Sequence, residues 1–137
     1  TTYVVDPYVK KCKFKKISLK KAISIADVLV IHVHLSKATK NLINSKNINF
    51  FKKDAIIINT SRGEIVNESA VIKSIRNRSL GGYATDVLSN ELTDIGKNVV
   101  IKALKNDLPV IVTPHIGGMT IEGQTKAYMF AAKKLKK

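Results

Sequence analysis

Ile56-Ile57-Ile58-Asn59-Thr60-Ser61-Arg62-Gly63 is the stretch from which the fold of this chain can be read. Three β-branched apolar residues in a row, preceded by Ala55, make a short run with no polar face. Such a run suits a strand buried on both faces, as strands of parallel sheets are. The abrupt change to Asn, Thr, Ser and Arg marks its carboxyl end.

Outward from this strand, short apolar runs alternate with helical patterns. Toward the amino terminus, Val28-Leu29-Val30-Ile31-His32-Val33 is a second near-continuous run, read as a strand covered on both faces. Ser18 can cap a helix whose Leu19, Ala22, Ile23 and Ala26 share one side. Tyr3-Val4-Val5 reads as a strand ending at Asp6. A polar loop over Ser36–Asn41 and a short helix over Ser45–Phe51 separate the two long runs. Toward the carboxyl terminus, Asn67 caps a helix carrying Ala70, Val71 and Ile75, and Gly81-Gly82 breaks it. Tyr83-Ala84-Thr85 is a strand leading into Asp86. Residues 89–108 read as a polar loop holding one helical turn. Val110–Val112 is the last strand, and Met119–Lys137 a terminal helix with Ile121, Tyr128, Ala131 and Leu135 on one side. Strands alternating with helices at this spacing predict an α/β fold, a doubly wound parallel sheet with right-handed crossovers. No internal repeat or low-complexity linker interrupts it.

Three polar groups fall just beyond strand ends: Arg62, the pair Asp86 and Glu91, and His115. Ligands of open α/β sheets bind outside the carboxyl ends of the strands, so these groups are candidates for one site. A guanidinium can hold a carboxylate, an imidazole can pass a proton, and a carboxylate can orient the imidazole. Singly, each is more often structural: an Arg in a surface ion pair, a His in a satisfied hydrogen bond. Their order and shared position carry the weight.

Composition narrows the classes. The 137 residues suit one domain with a core. Mean hydropathy is near zero, and no apolar run approaches the roughly 18 to 20 residues of a membrane span. Cys12 is the sole cysteine, which rules out an internal disulfide and fits a reducing cytosol. A net charge of +14 raises the possibility of nucleic-acid binding. The basic residues, however, are mostly Lys and scattered; Lys10-Lys11-Cys12-Lys13-Phe14-Lys15-Lys16 and the Lys133–Lys137 tail read as solvated surface. His32 and His34 alternate at a strand end, but no third ligand lies at a metal-binding spacing, so no metal is expected.

Taken together, these motifs resemble the NAD-binding domain of the D-isomer-specific 2-hydroxyacid dehydrogenases. Asp6-Pro7-Tyr8 is similar to the family's Asp-Pro-Tyr after its second strand. His32-Val33-His34-Leu35 with Thr39-Lys40-Asn41-Leu42-Ile43 resembles its His-Val-Pro-Leu…Thr-Arg-Gly-Leu-Ile, with His34 standing where the family has Pro. Asn59-Thr60-Ser61-Arg62-Gly63, Asp86-Val87 with Glu91, and Thr113-Pro114-His115-Ile116-Gly117 match its remaining signatures, although Ser89-Asn90 departs from them.

The resemblance implies NAD-dependent interconversion of a 2-oxo acid and a D-2-hydroxy acid. Arg62 would hold the substrate carboxylate, His115 would exchange a proton with the carbonyl oxygen, and Glu91 would fix the imidazole tautomer. Asp86 would face the nicotinamide. Asp6 would bind the adenosine ribose hydroxyls and repel a 2′-phosphate, favouring NAD over NADP; as the residue before Pro7 it equally suits a turn. Val33, His34, Leu35, Thr60, Ser61 and Gly118 would complete the cofactor side. A cytoplasmic homodimer is expected of the complete protein.

No Gly-x-Gly-x-x-Gly occurs in the chain, and the family's substrate domain is unmatched. The sheet is therefore expected to lack its first strand, leaving a slot between Tyr3–Val5 and Ala55–Ile58 in the order 3-2-1-4-5-6. Two readings follow: the carboxyl-terminal piece of an enzyme's cofactor domain, inactive alone, or a non-catalytic fragment binding NAD weakly or not at all.

Overall fold

The computed structural model describes residues 1–135; the last two positions of the expected terminal helix and of the lysine tail lie outside them. Four parallel strands form the main sheet in the order β3 (Val28–Ile31), β4 (Ile56–Asn59), β5 (Gly82–Thr85) and β6 (Val110–Val112). Two further strands, β1 (Tyr3–Val4) and β2 (Lys15–Lys16), pair parallel with each other in a separate small sheet. The α/β fold with a parallel sheet expected of the sequence is present, and its arrangement is Rossmann-like. β2 was not anticipated, because two lysines carry no apolar signal for a strand.

Register decides where function can sit. Ile31 lies opposite Asn59, Asn59 opposite Thr85, and Thr85 opposite Val112. The four strands thus stop on one line, and the polar residues after them are delivered to one end of the sheet.

Helices α1 (Leu19–Ile25), α2 (Glu68–Arg76) and α3 (Val99–Leu104) form one layer, with the 3-10 turn Ile48–Phe50 between α1 and α2. Ser18 and Asn67 cap α1 and α2 through side-chain oxygens, and Asn98 caps α3, satisfying amides that the helices leave unbonded. Residues 89–108 hold more structure than one turn: a 3-10 turn at Ile95–Lys97 runs directly into α3. Against this layer the sheet buries Ile31, Ile57, Tyr83 and Val110, packed with Ile23, Ile65, Val71, Ile75 and Val100.

The other sheet face is open, which corrects the expectation that Val28–Val33 is covered on both sides. Val28 and Val30 are 50% and 48% exposed, and Ile111 is 65% exposed. β3 is an edge strand and ends at Ile31. The slot is also displaced from where the strand count put it. Ala55–Ile58 lies inside the sheet, and a cavity of about 820 Å³ runs between Thr1–Asp6 and Val28–Val33. The strand beside Tyr3–Val4 is β2, so Val28–Ile31 begins the other sheet instead of pairing next to β1. Helix α4 (Ile121–Leu135) is exposed along its length, with Ile121, Tyr128 and Leu135 among its uncovered residues. Among the described residues, no helix is long and apolar enough to cross a membrane.

Candidate functional site

Asn59 builds the first corner of the site. Fully buried at the end of β4, it donates from Nδ2 to Arg62 O at 2.9 Å and accepts Ser61 N–H at Oδ1 at 3.1 Å. Its side chain therefore folds the turn that presents Arg62. Ser61 Oγ donates to Ile31 O at 2.9 Å, tying this turn to the end of β3. Arg62 is exposed and donates from Nη1 to Ser61 O at 2.6 Å, leaving most of the guanidinium fork for a ligand. Gly63 is required by contact: a Cβ there would sit 2.1 Å from Leu88 C and Ser89 N, so the Arg62 turn lies directly on the backbone after β5.

Around Arg62 lies a cleft of about 500 Å³ lined by His32, Val33, His34, Leu35, Thr60 and Ser61. His32 Nδ1 stands 3.4 Å from Thr60 Oγ1. His32 and Val33 also line the larger cavity beyond β3, so the two spaces share a wall.

The second corner is formed by Asp86, Glu91 and His115. His115 Nδ1 lies 2.9 Å from Glu91 Oε1, and Glu91 Oε2 faces Leu88 N at 3.5 Å. Nε2 has no protein partner among the described residues. A hydrogen bond at Nδ1 leaves Nε2 as the nitrogen able to exchange a proton with a ligand. His115 has φ 55°, a left-handed backbone that a residue with a Cβ adopts at a cost.

Asp86 explains how that conformation is held. Its Oδ1 accepts from Thr113 Oγ1 at 2.5 Å and Ile116 N at 3.0 Å, and its Oδ2 from Gly117 N at 2.8 Å. The carboxylate thus spans the turn on both sides of His115. Desolvation opposes its charge, but the bonds from Thr113, Gly117 and Ile116, with the nearby His115, outweigh this and hold its pKa below the ordinary value. The family resemblance implied that Asp86 faces the nicotinamide; its visible task here is to brace the histidine turn.

Asp6 stands apart, on the far wall of the larger cavity. Its Oδ1 accepts from Tyr8 N at 2.8 Å and Val9 N at 3.0 Å. Hydrogen bonds from Val9 and then Tyr8 lower its pKa, keeping it a carboxylate. It makes the turn the rival reading described, and Oδ2 remains available to hydroxyl donors. At Gly118 a Cβ would meet nothing within 4 Å, so no contact demands glycine there. Asn59, Glu68 and Asn98, which arrange these groups, were not singled out from the sequence; each looks like an ordinary cap or strand-end residue there.

The family description "D-isomer specific 2-hydroxyacid dehydrogenase, NAD binding domain" matches residues 1–117. The D-3-phosphoglycerate dehydrogenase of Bacillus subtilis is 33% identical over 129 residues, covering 90% of this chain and 23% of that protein. The glycerate dehydrogenase of Methylorubrum extorquens is 37% identical over 101 residues, covering 73% and 31% respectively. Among solved structures, the NAD-dependent formate dehydrogenase of Staphylococcus aureus in complex with NAD superposes with a TM-score of 0.80 at 28% identity, over 98% of this chain and 39% of that one. A D-lactate dehydrogenase from Sporolactobacillus gives 0.68 at 35% identity, over 78% and 35%. The chain spans well under half the length of each of these. With the family's description matched along 117 residues, this chain belongs to the D-isomer-specific 2-hydroxyacid dehydrogenases, through their NAD-binding domain.

Proposed function

We propose that this chain provides half of the active site of an NAD-dependent oxidoreductase that interconverts a 2-oxo acid and a D-2-hydroxy acid. The observation that carries the reading is the 2.9 Å contact between Glu91 Oε1 and His115 Nδ1, with Nε2 left free at the end of the sheet that also bears Arg62. Bound NAD(H) would supply or accept the hydride at the substrate's C2. Arg62 binds the substrate carboxylate through two parallel N–H donors, which orients C2. His115 Nε2 gives its proton to the carbonyl oxygen in reduction and takes it back in oxidation. Glu91 keeps the ring turned so that Nε2, not Nδ1, meets that oxygen. Thr60, Ser61 and Val33 to Leu35 line the cofactor side of the cleft, and Asp6 Oδ2 accepts from ribose hydroxyls across the larger cavity.

Catalysis by this arrangement requires the cavity between β1 and β3 to be filled, since Asp6 and the Arg62 cleft belong to its opposite walls. The open cavity also favours the second reading, in which the 137 residues alone bind NAD weakly and turn nothing over. Cytosolic location and a homodimer belong to the proposal for the complete protein. The test is NADH oxidation with hydroxypyruvate and related oxo acids in a polypeptide carrying the complete sheet. Arg62→Ala should lower kcat/KM roughly 10- to 100-fold, as expected for loss of charge-assisted hydrogen bonds worth about 1.5–3 kcal/mol. Unchanged kcat/KM would remove Arg62 from the site. Oxidation of NADH by the 137-residue chain itself would show that the cavity need not be filled.

A further inference from the structure

The segment 89–98 carries Glu91 yet has little to hold it in place. It protrudes from the sheet, with Leu92 98% and Ile95 50% exposed. Its own bonds are internal: Thr93 N and Oγ1 both donate to Asn90 O, and Lys97 pairs with Asp94. Such a loop leaves a side chain free to sample many positions. One group outside the segment grips both of its ends. Glu68, the first residue of α2, accepts Ser89 N–H at Oε1 at 2.8 Å and the Asn98 Nδ2 amide at Oε2 at 2.8 Å. Asn98 Nδ2 also reaches Ser89 O at 3.2 Å, closing the neck of the loop.

We propose that Glu68 is a positioning residue for Glu91, and through it for His115: its buried carboxylate clamps the two ends of the segment that carries Glu91. The inference rests on the reading that Glu91 orients His115. A carboxylate suits the task because both of its oxygens accept while both groups facing it donate. Glu68 is 6% exposed and pairs with no cation among the described residues. Its position at the amino end of α2 favours a negative charge there. Burial raises its pKa, an effect the Ser89 and Asn98 bonds partly offset. A buried, unpaired carboxylate is costly, and these bonds are what it supplies in return. The contact of Gly63 with Leu88 and Ser89 lies beside the clamp, so the same neck joins the Arg62 turn to the Glu91 loop.

The test is ring-nitrogen NMR on the 137-residue chain with labelled histidine, above the pH at which the imidazole is charged. In the parent, His115 carries its proton on Nδ1, facing Glu91. Glu91→Ala should lose that form and revert to the Nε2–H tautomer. Glu68→Gln sets its amide against the Asn98 amide and should also lose the Nδ1–H form, while His32 stays unchanged as an internal reference. Asn98→Asp, which turns an oxygen against both Glu68 Oε2 and Ser89 O, should lose the Nδ1–H form too, and a far-UV spectrum like the parent's in each variant excludes a nonspecific loss of fold. If Glu68→Gln keeps the parent tautomer while Glu91→Ala loses it, the clamp is overturned and the pair stands. If Glu91→Ala changes nothing, the Glu91–His115 reading itself fails, and the clamp with it.

Discussion

The two faces of the four-stranded sheet differ in cover although they hardly differ in sequence. Toward α1, α2 and α3 the strands present Ile57, Tyr83 and Val110, all at most 6% exposed. Toward the opposite side β3, β4 and β6 present Val28, Val30, Ile56 and Ile111, between 40% and 65% exposed. Both sets are β-branched or large and apolar, so both are built for burial. What separates them is whether a helix of this chain lies over them. The comparison teaches that a run such as Ile56-Ile57-Ile58 records the environment a strand is made for, not the cover present in one stretch of polypeptide. An uncovered apolar face and the unpaired edge of β3 are a liability for association.

Substitutions can sharpen this contrast. The largest effect is expected where packing leaves no space at all: Gly63→Ala would drive a Cβ into the Leu88–Ser89 backbone and should cost on the order of 4 kcal/mol or more. A urea midpoint close to the parent's would show that the two turns are not in contact. Next, Ile57→Ala on the covered face should cost about 2–5 kcal/mol. Ile111→Ala on the open face should stay within about 0.5 kcal/mol. Equal losses at the two positions would mean that the open face is covered in solution.

Asp86 offers a smaller, pH-dependent test on the site side of the sheet. Its carboxyl has a lowered pKa in the folded chain, so the folded state binds fewer protons there than the unfolded state. Its contribution is full above the unfolded value of about 3.9 and is lost as pH falls through the folded value. Asp86→Asn should therefore weaken the chain at neutral pH and flatten its loss of stability in acid. Denaturant titrations across that range would contradict the bracing role if parent and variant lost stability in parallel.

Much of this was legible in advance because it is local. The apolar runs marked β3, β4, β5 and β6, and Ser18 and Asn67 were recognisable caps, since each depends on residues within a few positions. Arg62, Glu91 and His115 were legible as strand-end groups, and the parallel register brings their strands to one line. β2 was hidden because Lys15-Lys16 pairs through backbone alone. The bare face and the true walls of the cavity were not legible, because they depend on which elements lie next to each other. For the same reason Glu68 was not singled out: its partners lie 21 and 30 residues away, and nothing in its immediate neighbours announces them. Asn59 was quoted only as part of a motif, although its side-chain partners, Ser61 and Arg62, lie two and three residues on.

The central claim is that His115, held by Glu91 and braced by Asp86, exchanges the proton that accompanies hydride transfer. Steady-state oxidation of NADH by a 2-oxo acid tests it most directly, comparing His115→Ala with its parent in a polypeptide carrying the complete sheet. The account predicts a fall in kcat of roughly 10²- to 10⁴-fold, the usual contribution of a positioned acid. Turnover within a few fold of the parent's would contradict it.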